Sequence, residues 1–385
     1  MNTNRFETFY DAILAIIITV LVLKIPQPLN PTWGSFFQNS LHFTTYLIVF
    51  LTIINIWYSN QKLFQYIDKI NNKVLFVYGN KLFLITLIPY FASWLSMNLY
   101  SLTAETIFGI LIIFANISHI ISAIVVFGAN KSNEKLKELN VKKIHYIGPL
   151  TLTAIGFIIS YTVYVPGIYI TSLFAVILSI FYNRKYGKEI ENTERFEALI
   201  DAIIAIIITI IVLEIPTALN GNLESLIEIK FDFIAYIISF IVCFNSWKIT
   251  YNIFSIINKI NFKAIWSISL GLFFLSFIPY LSTFVAMHFN EFVPQCIYGI
   301  NFIIINICYL ISTYEIKKID EDNLLLQIAF ENYNKFIITI ISTCVFIAIG
   351  YFYYPPIIII SCIFSIIASW IFVIAKINII NCNYD

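Results

Sequence analysis

Apolar residues run along this chain in blocks of about 20, separated by short polar breaks. A bilayer core needs roughly 20 apolar residues per helix. Six blocks of that kind fall at 8–25, 41–61, 79–97, 103–127, 146–164 and 166–182, and six more at 198–215, 232–254, 266–286, 294–314, 335–354 and 356–376. In each group the fifth and sixth blocks are separated only by a proline turn, Val165-Pro166-Gly167 and Tyr354-Pro355-Pro356. The pattern predicts an all-α polytopic membrane protein with twelve transmembrane helices, built as two parallel six-helix repeats over residues 1–188 and 189–385.

The two groups are copies of one another. Residues 5–26 read RFETFYDAILAIIITVLVLKIP and residues 195–216 read RFEALIDAIIAIIITIIVLEIP, with 15 of the 22 positions identical. At an ungapped offset of 190, Asn55 and Trp57 fall on Asn245 and Trp247, Lys69-Ile70-Asn71 on Lys259-Ile260-Asn261, and Ile88-Pro89-Tyr90 on Ile278-Pro279-Tyr280. Gly109 meets Gly299 and Asn116 meets Asn306. A register held that long marks a duplication. Past the fourth helix the similarity fades, and the register is expected to slip there.

Composition agrees with a membrane chain. Apolar residues make up 59% and charged ones 12%, against roughly 25% charged in soluble domains, and the mean hydropathy is +0.85. The abundance of Ile, Asn, Lys, Tyr and Phe is what an AT-rich genome favours, so no single isoleucine is informative on that ground. A net charge of +1 offers nothing to nucleic acid. The six Cys (243, 296, 308, 344, 362 and 382) lie in the second half without paired spacing, which points to buried reduced thiols and to neither a disulfide framework nor zinc. The first apolar run follows Arg and Glu and lacks a small-residue cleavage site, so it reads as a retained span.

Basic residues orient the chain. With both termini cytoplasmic, all of the 23 Lys and Arg except Lys24 and Lys230 fall on the inside, including the runs at 131–143 and 184–188. The outer loops then carry Glu105, Glu214, Glu224, Glu228, Asp232 and Glu291, a mildly acidic mouth that concentrates cations.

Catalytic patterns are absent: there is no HExxH, GxSxG, P-loop or GxGxxG, and the four His (42, 119, 145, 288) are scattered. Val77-Tyr78-Gly79 faintly echoes the carbonyl filter of potassium channels, but it lies at a cytoplasmic loop and is not repeated at 267–269. What remains is the polar content of the first helix of each repeat. Asp11 and Asp201 are the only acids deep inside an apolar run, and two of the three Arg are Arg5 and Arg195. Ionisable residues within spans are costly and are usually functional or paired. Helical spacing puts 5, 9, 12, 16, 19 and 23 on one stripe, with Asp11 on the neighbouring one. Two readings stay open for Asp11: a buried polar clamp with Arg5 and the second-helix residues Asn55, Trp57 and Asn60, or an ion or proton carrier. Thr19 and Thr209, each alone in its apolar stretch, either bond back to the helix or line a pore.

Arg-x-x-x-Phe-x-Asp-Ala followed by Ala-Ile-x-x-Thr, in the first helix of a six-helix repeat with a second-helix Trp, resembles the transmembrane protein 175 family of potassium channels. That family has lysosomal and prokaryotic members and lacks the TVGYG filter. The resemblance is to its two-repeat form, and implies a homodimer in which four first helices surround a pore for monovalent cations, without cofactor or enzymatic activity. By the same resemblance Ile16, Leu23, Ile206 and Leu213 form the constriction, and Thr19 and Thr209 add polar selectivity. Arg5, Asp11, Arg195 and Asp201, with Asn55, Trp57, Asn245 and Trp247, bridge helices. Tyr10 and Ile200 stand where the family motif has Ser, and Leu199 replaces its Phe. The expected function is a potassium-selective, also proton-permeable, cation channel of a microbial plasma membrane. A secondary transporter of a small solute or ion, or a membrane protein without transport, are the competing readings. Against the transporter stand only 12 Gly and no Gly-Asp-Arg motif between the second and third helices.

Overall fold

In the computed structural model the described residues are all except 1–2, 65–66, 68–69, 131–143, 187–192, 258, 320–322, 324–333 and 369–385. The basic run 131–143, residues 187–188 of the run 184–188, Cys382 and the end of the last expected span lie outside them.

In the first half, α1 (Thr3–Val20) continues into a 3-10 turn at Leu21–Lys24, and the short α2 (Trp33–Phe37) follows. Then come α3 (Ser40–Phe64), α4 (Asn72–Met97), α5 (Leu102–Ala129), α6 (Ile144–Thr162) and α7 (Gly167–Tyr186). The second half holds α8 (Glu194–Leu213), the short α9 (Leu223–Glu228), α10 (Lys230–Phe254), α11 (Phe262–Ser276), α12 (Ile278–Met287), α13 (Phe292–Ile319) and α14 (Asn334–Phe352). An apolar helix α15 (Ile357–Ala368) ends the described chain. Among the described residues ten segments are long and apolar enough to cross a membrane, α11 and α12 counting together as Phe262–Met287, and Ile147–Thr162 and Ile357–Ala368 are apolar but shorter. The chain is a polytopic all-α membrane protein with two repeats.

Side-chain caps mark the starts of several helices. Asn71 Oδ1 accepts from Val74 N at 3.0 Å, and its counterpart Asn261 accepts from Ala264 N at 2.8 Å. An Asn at this position satisfies one of the orphan donors of the first turn. The cap at Asn71 starts α4 seven residues before the expected span, so Val77-Tyr78-Gly79 is helical rather than part of a loop. Further caps start the unexpected short helices: Thr32 accepts from Ser35 N, and Asn222 from Ser225 N. The helix around Pro89 is continuous, whereas the chain breaks at Phe277 and places Pro279 in the first turn of α12, where proline's missing N–H costs nothing.

The expected slip of register does not occur. Helices α6 and α14 end at 162 and 352, and α7 and α15 begin at 167 and 357, each pair again 190 apart. The packing repeats too. A Cβ on Gly109 would sit 2.8 Å from the Phe157 ring and 2.9 Å from Ile168 Cδ1. On Gly299 it would sit 2.8 Å from Ile358 and 3.3 Å from Ile347, the residues 190 further on. The duplication therefore covers all six helices, and sequence similarity faded because close packing constrains volume more than identity.

Glu105 is a second correction. It does not face an outer loop: it is buried, and its Oε2 accepts from Tyr169 N at 3.0 Å in the first turn of α7. A carboxylate there answers the orphan amides and the positive end of the helix.

The chain forms two compact units. One comprises 1–25 and 40–187; the other comprises 26–39 and 188–385. The connection between α1 and α3 thus belongs to the second unit.

Gly109→Val and Gly299→Val should each lower the thermal midpoint of the detergent-solubilised protein, through overpacking of about 1–3 kcal/mol. Gly128→Val, with nothing within 4 Å of its Cβ position, should not.

Candidate functional site on the first helix of each repeat

Both first helices bury one side and expose another. On α1 the buried positions are Phe6, Tyr10, Leu14, Ile17, Ile18 and Leu21, and on α8 they include Phe196, Leu199, Ile200, Ile203, Ile207 and Ile210. Opposite them on α1 lies an open stripe with Arg5, Phe9, Ala12, Ile16 and Leu23. Ile16 is 49% exposed and Leu23 39%. In the second repeat Ile206 is half-buried and Leu213 is 75% exposed. These side chains offer contact area and no chemistry.

The threonines differ between repeats. Thr19 is fully buried, and its hydroxyl donates to Ala15 O at 3.0 Å and Ile16 O at 3.1 Å. Thr209 is exposed and donates to Ile206 O at 2.8 Å. In both, donation back to the helix leaves the oxygen's lone pairs for another partner, and only Thr209 presents them on an exposed surface.

The charged residues differ as well. Arg5 is exposed and Arg195 half-buried. Asp11 is buried, whereas Asp201 is exposed and accepts from Trp247 Nε1 at 2.9 Å. That bond ties α8 to α10. Trp57, at the matching place on α3, is fully buried, as is most of Asn245. Asn55 points elsewhere: its Oδ1 accepts from Asn183 Nδ2 at 2.8 Å and links α3 to α7.

Tyr10 occupies the position of the motif Ser and makes its own link. Its hydroxyl accepts from Asn60 Nδ2 at 2.6 Å, and its ring packs edge-on against Phe64 and Tyr78 at 5.7 Å. Asn60 Oδ1 in turn accepts from Lys81 Nζ at 3.0 Å. Lys81 Nζ also lies 2.8 Å from His119 Nδ1, which accepts when the imidazole proton is on Nε2. One polar chain therefore joins α1, α3, α4 and α5.

Lys81 is the residue that sequence reasoning missed. Its position next to the expected end of the third span placed it on the cytoplasmic side, yet it is fully buried nine residues into α4. The signal was the Asn71 cap: a start at 72 puts Lys81 roughly 13 Å along the helix at 1.5 Å per residue. Lys81, His119, Asn116, Asn55, Ser59 and Thr153 line a cavity of about 100 Å³ within the first unit, room for several water molecules. The second repeat has Gly271 and Tyr309 where the first has Lys81 and His119, so the chamber's cation is not duplicated. Among the described residues no group of His, Cys, Asp and Glu is arranged to hold a metal ion.

Just beyond α8, burial pushes the Glu214 carboxyl above the usual carboxylate range, opposed by the hydroxyl of Thr283 at 3.5 Å.

The family model described as "Endosomal/lysosomal potassium channel TMEM175" matches residues 5–89 and again 195–279, two stretches that are once more 190 apart. A potassium channel of Chryseobacterium sp. is 32% identical over 138 residues, covering 36% of this chain and 72% of that relative. The relative is therefore about as long as one repeat. A potassium channel of Streptomyces collinus is 26% identical over 93 residues, covering 23% of this chain and 45% of the relative.

Two predictions follow from this geometry. In a double-mutant cycle, Trp247→Phe and Asp201→Asn should be non-additive by about 1 kcal/mol in thermal unfolding, the worth of one hydrogen bond. Glu214, with a folded pKa raised above the ordinary 4.5, contributes stability that is present below 4.5 and lost as pH rises through the folded value. Glu214→Gln should thus raise the thermal midpoint at pH 8 relative to the parent, and the difference should vanish near pH 4.

Proposed function

Because this chain belongs to the TMEM175 family in its two-repeat form, we propose that it is a potassium channel whose pore is lined by α1 and α8. Two chains supply four such helices. Ile16 and Leu23 of α1, with Ile206 and Leu213 of α8, form the constriction, which conducts when it widens and wets and closes when it dries. Thr209, and Thr19 after release from its backbone bonds, offer oxygen to a partly dehydrated cation. The permeant ion is K⁺, with H⁺ as a second permeant species. No resident cofactor takes part, and no bond is made or broken, so the protein works as a channel and not as an enzyme.

One observation carries this reading: an open stripe of apolar side chains on the helix where the family model begins, in both repeats. The same helices are held in place by Tyr10 and Asn60 on a buried face in the first repeat and by the exposed Asp201 with the half-buried Trp247 in the second. A carboxylate engaged by an indole N–H is a poor ion carrier, so Asp201 acts as a positioning residue in this scheme. Both termini are cytoplasmic, in keeping with the bias of basic residues, and the host membrane is a microbial plasma membrane.

Replacing hydrocarbon by amide at the constriction should abolish drying. The double variant Ile16→Asn and Ile206→Asn, reconstituted in planar bilayers, should conduct at least several-fold more and show a K⁺/Na⁺ reversal potential shifted towards zero. Unchanged current and unchanged ion preference would remove these residues from the pore. Saturable, coupled exchange in liposomes, in place of gradient-driven flux at high unitary rate, would favour a transporter.

A further inference from the structure

The unbroken 190-residue register lets each repeat serve as a control for the other. Where equivalent surfaces differ in what covers them, the chain has left something open. The clearest case concerns the connection between the first and second long helices of a repeat.

In the first repeat that connection, residues 26–39, packs within the second compact unit. It is seated on α12. Tyr280 Oη donates to Pro26 O at 3.2 Å and accepts from Asn39 Nδ2 at 3.2 Å. Gln27 Nε2 donates to Tyr280 O at 3.1 Å. Phe36 stacks on Phe284 with ring centroids 6.2 Å apart. The receiving face is closed: Tyr280 is 3% exposed and Phe273 5%.

The equivalent face of the first repeat lies on α4, and it is open. Tyr90 is 68% exposed and Phe83 64%. The equivalent connection of the second repeat, residues 216–229, is open as well, with Leu219, Leu223, Leu226 and Ile227 all exposed. Lipid can cover Phe83 and Tyr90 on a spanning helix. It does not so readily cover leucines beyond the ends of α8 and α10, where apolar surface meets water and favours burial in protein.

We propose that residues 216–229 of one chain dock on the Tyr90 face of α4 in a second copy of this chain, and that the second copy returns the same contact. The occupant is named by the register. Pro216 stands where Pro26 offers its carbonyl, so it meets the Tyr90 hydroxyl, and Leu226 stands where Phe36 stacks, so it meets Trp94, the counterpart of Phe284. Ile229 replaces Asn39 and Thr217 replaces Gln27, so both amide-donated hydrogen bonds to Tyr280 in the internal contact are given up, the first of them for apolar area. Each repeat hands its connection to the next. One hand-over closes inside the chain, the other reaches the partner, and two chains complete a closed ring of four. This rests on the two-chain assembly proposed above and names the surface that makes it.

The test uses full-length protein in detergent, with Cys344 and Cys382 replaced by Ser. Trp94→Cys together with Leu226→Cys is treated with a short bis-methanethiosulfonate, which tolerates wider spacing than a direct disulfide. Native mass spectrometry gives the stoichiometry independently. A reductant-sensitive covalent dimer, absent from either single variant, is expected. The control pair Phe36→Cys and Phe284→Cys should lose its thiols, gaining the mass of one spacer and forming no covalent dimer. Dimers in the native spectrum with the 94/226 pair unlinked, or linked within one chain, would overturn this interface and leave the two-chain reading standing. Monomers in the native spectrum would overturn both. As a second measurement, Tyr90→Arg alters a surface that folding leaves exposed, so it should raise the dimer dissociation constant at least tenfold on dilution. An unchanged constant would also overturn the proposal.

Discussion

Polar groups in a bilayer must find their partners inside the protein, since hydrocarbon supplies none. Much of what is distinctive in this structure answers that constraint. Hydroxyls satisfy it locally: Thr19, Thr52, Thr153, Ser246 and Thr313 all donate to a carbonyl four residues back on their own helix. Longer side chains satisfy it across helices and so become the ties that fix helix position. Asn60 alone connects Tyr10 on one side to Lys81 on the other. Glu105 spends its charge on the first turn of α7.

The duplication shows how such ties are kept and exchanged. Both repeats need α1 or α8 held against the second long helix. The first uses a tyrosine hydroxyl and an asparagine, the second an aspartate and a tryptophan indole. Backbone approach is kept more strictly: Gly109 and Gly299 each admit the same two neighbours, because no side chain on the fourth helix of a repeat leaves room for them. What departs from strict repetition is the buried cation. Lys81 and His119 sit in a hydrated-sized chamber of the first repeat, where the second has Gly271 and Tyr309. Asymmetry of that kind is open to a tandem chain and closed to an assembly of identical single repeats.

Much of this was legible in the sequence. Runs of about 20 apolar residues gave the helices to within a few residues, because thickness of the bilayer sets their length. Recurrence of Arg5, Asp11, Ile16 and Thr19 at 195, 201, 206 and 209 located the first helices as the unusual ones. Hydropathy read poorly where a helix extends past its apolar block. The cap at Asn71 carries α4 outward from the run, and Lys81 was misplaced for that reason. Glu105 was misplaced for the opposite one: a charge near a span end looks exposed until a neighbouring helix start is known to receive it.

The amino-acid sequence by itself determined the class of the molecule, the number and period of its repeats, and the helix on which function is sought. Those properties depend on composition and spacing along one dimension. Only the tertiary structure decided which polar residues meet. It placed Asn55 with Asn183, Tyr10 with Asn60 and Asp201 with Trp247, buried Thr19 while leaving Thr209 open, and assigned the connection 26–39 to the second unit. Helical periodicity names a face but not its partner, because the partner depends on how distant segments pack, and that is settled by shape and hydrogen bonding in three dimensions.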